Sequence, residues 1–328
     1  MKKILTIIAA VAALAGCKTN TKPLLPNVSG KAGEVIVVME KPDWEGTLGN
    51  EVRDLLAADC PYLAQREPLY SLVNVVPSNF ADLFKVHRNI VIFNVNPQVD
   101  STCALYKHDV WAAPQCVIQL NAPTVEEASA QLARSSRVIL GSLETAERNR
   151  VIANSIRYEE RSIAKEVGAV FGGSPHFPSG YTLRKLTPNF AWVTDVKQYS
   201  TLGVLMYKYP SGEADPFTKE NIIRHRNETF MANVPGMFDN TYMTTSEYFE
   251  PTVEYIKYLG RDIAQTRGMW EVQNDFMGGP FVSHSFYSKD GSEIIVLDAF
   301  VYAPRYDKRQ YLRQVESIIY SWDWAEEK

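Results

Sequence analysis

Between residues 124 and 172 the chain carries a helical pattern longer than any other in it, and this pattern organises everything around it. Thr124-Val-Glu-Glu127 has the form of a capping box, in which a hydroxyl and a carboxylate satisfy the first free amides of a helix. Leu132, Ile139 and Leu143 continue one apolar face, and Ile152, Ile156, Ile163 and Val167 continue a second stretch, with Gly141 as a break point. Gly172-Gly173, Pro175 and Pro178 end the pattern. Arg148, Arg150, Arg157, Glu159, Glu160 and Arg161 read as the solvated faces of these helices. A helical region of this length needs an apolar surface to lie against, and short strand signals stand on both sides of it.

Upstream, Glu34–Met39, Leu69–Val76, Ile90–Val95 and Val110–Leu120 read as strands, the last despite Pro114. Helical spacing through Val52, Leu55 and Leu56, and a short helix from Ser78, separate them. Downstream, Tyr181–Leu186, Phe190–Asp195, Leu202–Tyr209, Thr241–Thr245, Gly268–Val272, Gly279–Tyr287 and Glu293–Tyr302 read as strands. Helices are expected from Asp215-Pro216 to about Ala232 and from Lys308 to Trp322. The fold class is α+β with two layered subdomains. Residues 31–172 alternate strands and helices, and residues 173–328 form a largely antiparallel sheet with packed helices.

The amino terminus has a different character. Lys2-Lys3 precede an uncharged apolar run, Ile4 to Ala13, and then Leu14-Ala15-Gly16-Cys17, the layout of a secretory signal over residues 1–16. The run is shorter than the ~20 residues that span a bilayer. The segment resembles a bacterial lipoprotein signal, which implies a diacylglycerol on the Cys17 sulfur, palmitate-type acyl chains and a membrane as partner. Residues 17–30 then read as a flexible tether. Lys18 follows the cysteine without an acidic run. By resemblance to known sorting rules this implies the periplasmic face of the outer membrane rather than the cell surface. Several stretches resemble an uncharacterised lipoprotein family of Bacteroidetes, a domain of unknown function: GEVIVVME with Trp44, FKVHRNIVIFNV, RGMWEVQNDFMGGPF and FVYAPRYDKRQYLRQVES. The resemblance implies the anchor and an envelope location, and no activity.

The formal net charge of −4 provides no basic field for nucleic acid, so that partner is not expected. Hydrophobic content of 45% supports a well-cored body. Export permits a disulfide, for which Cys103 and Cys116 are the nearer pair, leaving Cys60 free. There is no zinc-type cysteine spacing, HExxH, P-loop, dinucleotide fingerprint or calcium loop, so neither metal nor cofactor is expected. No catalytic residue is assigned. The densest candidate ligand site is Arg267, Trp270, Gly278, Gly279 and His284, with Asp298 on the neighbouring strand. Its two glycines permit the positive φ of a cradling loop. Its serines, histidine and aspartate are the residue types of a hydrolytic triad, although Ser283, His284 and Ser285 alternate faces in a strand. Arg224 and His225 form a second candidate, for an anion, with Arg224 and Glu228 equally readable as an i,i+4 pair. Trp192, Trp270, Trp322 and Trp324, with Tyr181, Tyr242, Tyr302 and Tyr306, hold the aromatic surface a carbohydrate module needs. Trp192 and Trp270 read as core, and Trp322 and Trp324 as surface. Asp100-Ser101-Thr102 resembles an acceptor for an O-linked glycan at Ser101. The leading expectation is a lipid-anchored, non-catalytic binding or scaffold module with an envelope protein or glycan as partner. A hydrolase at His284 and a carbohydrate-binding module are the alternatives.

Overall fold

The computed structural model describes residues 24–325, so the signal segment, Cys17 and the start of the tether lie outside the described residues. The first half builds a five-stranded sheet from β1 (Glu34–Val38), β2 (Ser71–Val75), β3 (Asn89–Val95), β4 (Cys103–His108) and β5 (Cys116–Ala122) in the order β2-β1-β3-β5-β4. β1 pairs in parallel with β2 and β3, β3 pairs in parallel with β5, and β4 is the antiparallel edge. Between β1 and β2 lie α1 (Lys41–Glu45) and α2 (Thr47–Leu56), and between β2 and β3 a 3-10 turn, Pro77–Asn79, and α3 (Asp82–Lys85). β1 is apolar without interruption because both of its faces are covered. Val35 and Val37 pack with Leu48, Val52 and Leu56 of α2, while Ile36 and Val38 pack with Ile90, Val117, Phe80 and Phe84.

The long helical pattern becomes α4 (Val125–Arg157) and α5 (Arg161–Phe171). Thr124 Oγ1 accepts from the Glu127 amide at 3.3 Å, so the hydroxyl half of the cap forms, while the Glu127 carboxylate accepts from Thr102 Oγ1 instead. α4 runs straight through Gly141, where an added Cβ would meet open space. Ala128, Leu132, Ile139 and Leu143 seat it on the first sheet. Beyond them Glu147 is buried, holding Arg88 at 3.2 Å, Arg150 at 3.1 Å and the Asn89 amide at 2.7 Å. Arg150 is therefore a structural cation under cover, not part of a solvated face.

The second half begins with β6 (Gly173–Ser174), β7 (Thr182–Thr187), β8 (Phe190–Lys197) and β9 (Ser200–Pro210). After α6 (Lys219–Asn233) come β10 (Met243–Thr245), β11 (Thr252–Tyr258), β12 (Arg261–Val272), β13 (Gly278–Tyr287) and β14 (Glu293–Tyr302). α7 (Arg309–Tyr320) and β15 (Asp323–Trp324) complete the described chain, β15 pairing with β6. The large sheet is antiparallel throughout, in the order β10-β12-β13-β14-β9-β8-β7, with β11 also against β12. One face carries Val193, Val204, Met206, Val282, Leu297 and Val301 against α5 and α7. The other carries Leu205, Tyr207, Phe281, Val296 and Phe300 against α6. α5 thus shares a core with the second sheet. α4 reaches α7 through the Glu144–Arg313 ion pair and through Arg148, whose guanidinium lies 3.7 Å from the Tyr320 ring centre.

The α+β class read from the sequence is the one found. Differences sit at the edges. β4 and β11 were not legible as strands, since each is an edge with one or both faces exposed. The strand expected over 110–120 starts at Cys116, because Gln115 instead closes a loop by accepting from Trp111 N at 3.0 Å. The Cys103–Cys116 disulfide is corrected: Cys103 faces Asn121 and Cys116 faces His108 across the β4/β5 ladder. They stand at opposite ends, roughly 17 Å apart at the strand rise, far beyond the ~7 Å that a disulfide tolerates. Cys60, Cys103 and Cys116 are all free, and burial pushes the Cys60 and Cys116 thiols up to about 11. Ser101 is exposed in the loop between β3 and β4.

Candidate functional site

The residues grouped by the sequence do not converge. His284 pairs with Leu297 and Ser283 with Asp298 across β13 and β14, so His284 and Asp298 lie on opposite faces of the sheet. Asp298 is fully buried beneath α6 and held by Arg226, whose Nε donates to Oδ2 at 2.8 Å. The Ser283 and Ser285 hydroxyls are buried without a partner among the described residues. No triad forms, and the hydrolase reading at His284 is corrected. Arg267 lies on the His284 face and is ion-paired with Glu316 of α7. Gly278 and Gly279 are not a loop and have no positive φ; they open β13. A Cβ at Gly279 would overlap the Val301 carbonyl and approach Trp270 Nε1 to 3.1 Å. That indole donates to the same carbonyl at 3.1 Å, so the glycine allows strand and indole to close together. Arg224 and His225 are both engaged by Glu213, Arg224 also lies 3.7 Å from Glu228, and His225 stacks on Tyr209 at 3.8 Å.

His284 has a structural task. Its Nε2 accepts from the Gln265 amide at 3.0 Å, and the same amide donates to Tyr320 Oη at 2.8 Å. Arg267 Nε donates to Gln265 Oε1 at 3.2 Å, which fixes the amide orientation and therefore the neutral imidazole tautomer. Burial, and then the nearby Arg267, Arg148 and Arg261, hold the imidazole well below its ordinary 6.5. The unfolded chain takes up this proton near pH 6.5 and the folded chain does not. Stability from this group is therefore complete above pH 6.5 and declines as pH falls below it, by up to about 1.4 kcal/mol per pH unit. His284→Gln keeps an acceptor for Gln265 without the titration. Its unfolding free energy between pH 5 and 7 is expected to lose that part of the slope, as read from urea titrations at each pH.

The concavity that could take a ligand lies on the opposite face. α6 packs through Ile222, Arg226 and Phe230 and stops at Asn233, so it covers only part of the sheet. Beyond its end lies a hollow floored by Trp192, Thr194 and Val196 of β8, Trp270 and Val272 of β12, and Phe300 and Tyr302 of β14. Val234–Met237, Met243 and Met277 form the wall, enclosing about 400 Å³. Arg184 stands at the rim, its Nε donating to Thr194 Oγ1 at 3.3 Å, and it forms no ion pair among the described residues. Aromatic faces supply area and the three thioethers supply adaptable packing, the lining of a site for hydrocarbon. The rings are not coplanar: Trp270 meets Phe300 at 79° and Tyr302 at 56°, so they form no flat row for sugar stacking. A second, polar hollow of about 890 Å³ lies over Glu220, Glu247, Glu250 and Glu271, with Lys219 paired to Glu250. Among the described residues no cluster of histidine, cysteine, aspartate and glutamate could hold a metal ion.

Of the sequence candidates Trp270 lines the cup, and so do Trp192 and Tyr302 from the aromatic set. Met243, Met277 and Phe300 were missed, as was the grouping of these six. Their signal is spacing by two, 192/194/196, 270/272 and 300/302, at the ends of strands that meet only once sheet order is known. Residues 28–155 match the family described as Domain of unknown function (DUF8532), and residues 160–321 match Domain of unknown function (DUF4837). No curated protein matches the chain. Among solved structures, a protein from Bacteroides thetaiotaomicron aligns at 11% identity and TM-score 0.26, over 48% of this chain and 46% of its own. LpqN, involved in cell envelope biogenesis of Mycobacterium tuberculosis, aligns at 15% identity and TM-score 0.27, over 45% of this chain and 81% of its own. The human StarD13 (DLC2) lipid transfer and protein localization domain aligns at 11% identity and TM-score 0.23, over 49% of this chain and 95% of its own. Each half of the chain is thus similar to a domain of unknown function.

Proposed function

We propose that this protein is a lipid-anchored envelope protein whose body binds an amphipathic ligand, its hydrocarbon part in the cup over the eight-stranded sheet. The cup carries the reading: about 400 Å³ lined by two tryptophans, three methionines and Phe300, with the Arg184 guanidinium, which forms no ion pair among the described residues, at the rim. Such a lining desolvates an acyl chain, while Arg184 suits a carboxylate or phosphate head. The anchor is acylated Cys17, on the periplasmic face of the outer membrane, and the motif Leu14-Ala15-Gly16-Cys17 supports it. Two or more acyl chains on one residue anchor stably where a single chain does not.

The test is binding of cis-parinaric acid, followed by its fluorescence. The wild-type chain is expected to bind it saturably. Met277→Asp places a carboxylate in the wall and is expected to weaken binding at least tenfold, while Met231→Asp, on the exposed side of α6, leaves it unchanged. Equal binding by all three proteins would remove the cup from the reading.

A further inference from the structure

The cup opens beside two loop tips whose large apolar side chains face solvent. Met237 and Phe238, 79% and 65% exposed, sit in the turn between α6 and β10, and Phe276, fully exposed, sits in the turn between β12 and β13. The turns are laced together. Gly236 N donates to Thr241 O at 2.8 Å within the first, and Gln273 N of the second donates to Tyr242 O of the first at 2.9 Å. A Cβ on Gly236 would come within 2.8 Å of Val272 Cγ1, so only glycine lets the first turn lie this close to β12. Met237 and Met277 belong to these turns and also line the cup, so each tip adjoins its lining.

We infer that the two tips dock on a lipid bilayer, placing Phe238 and Phe276 in the interface so that the mouth of the cup faces the membrane. The inference rests on the anchored, ligand-binding reading above. The tether specifies the occupant. Only residues 18–23 separate Cys17 from Leu24, a reach of roughly 24 Å at full extension. The first described residues join the body near this end. Asn27 bridges Ala113, and Arg150 Nε donates to Pro114 O at 3.0 Å. Arg150 shares a cleft with Lys197, whose neighbour Val196 lines the cup. A body moored at Cys17 therefore stays within reach of the bilayer with this end close to it. The charged residues of the tips are Asp239 and Asp275, with no lysine or arginine in either turn, which fits a zwitterionic surface and disfavours an anionic one.

The test uses the full-length acylated protein in phosphatidylcholine vesicles that contain a radiolabelled phospholipid. The photoreactive residue p-benzoylphenylalanine is placed at Phe238, at Phe276 or at Leu259, which is 77% exposed in the turn at the other end of β12. Irradiation is expected to give at least fivefold more lipid adduct at Phe238 and Phe276 than at Leu259, reduced when phosphatidylglycerol replaces part of the lipid. Equal labelling at all three positions, or adducts between two copies of the chain in place of lipid, would overturn the docking. Parinarate binding measured on the same proteins separates the two readings. Binding without lipid adducts leaves the cup and removes the docking, whereas adducts without binding uphold the docking and remove the ligand.

Discussion

Asp298→Ala is expected to cost about 3–5 kcal/mol of unfolding free energy, the usual consequence of removing one partner of a buried ion pair. Asp298 and Arg226 are both fully buried. The guanidinium donates to Oδ2 at 2.8 Å, to Oδ1 at 3.3 Å and to Thr245 Oγ1 at 2.8 Å, and it lies 3.7 Å from the Phe281 ring centre. Arg226 has no exit to water, because α6 clamps it against the sheet. Loss of the carboxylate leaves a positive charge among aromatic rings, and attraction to their faces offsets only part of the desolvation. The double variant Arg226→Met with Asp298→Leu is expected to recover most of the loss, since apolar side chains of similar volume replace the pair without stranding a charge. Urea unfolding at pH 7 measures both. A loss below 1 kcal/mol in the single variant would mean that solvent reaches Arg226 and that the packing of α6 is looser than described.

Trp322→Ala is expected to destabilise by about 3–5 kcal/mol through the cavity it leaves. Trp322 is 1% exposed, meets Phe286 and Trp324 edge-on at 5.4 Å each, and its carbonyl accepts from Arg261 Nη1 at 3.1 Å. A Cβ at Gly173 would lie 2.5 Å from the indole, so the β6–β15 pairing closes over it. Trp324→Ala, at the half-buried end of the same cluster, is expected to cost less than half as much. Thermal unfolding of the two variants side by side checks the order, and equal losses would refute it.

The placement of Trp322 also shows where sequence reasoning stops. Asp323, Glu326, Glu327 and Lys328 make this end polar, and Trp322 and Trp324 read as surface on that ground. The indole is buried because the chain turns inward to pair Trp324 with Gly173, a contact with 150 residues of sequence between the partners. Continuous apolar strands such as Glu34–Val38 were legible, because a strand covered on both faces writes its burial into every position. β12 was recognised only from Gly268 onward. Its first half contains Gln265, Thr266 and Arg267, which are polar in sequence yet sit between neighbouring strands or beneath α7. The same masking hid the roles of His284 and Asp298. Their residue types suggested chemistry, and only strand register shows that they face apart. The MGGPF motif was visible as dense and unusual, but Gly279 makes room for the Trp270 indole and Gly278 for the Trp270 carbonyl, a purpose that sequence spacing does not distinguish from a ligand cradle.

The 33-residue α4 bridges the first sheet and α7, seating Leu132, Ile139 and Leu143 on the one and turning Glu144 and Arg148 toward the other. Each residue added to a helix turns everything beyond it by about 100° and advances it by about 1.5 Å. An insertion of one residue after Ile139 would swing Glu144 away from Arg313 and Arg148 off the Tyr320 ring. Four added residues would nearly restore the angle while displacing both by about 6 Å. The helix is therefore a fixed-length gauge between the two halves, and surviving changes in its length must arrive with matching changes in α7.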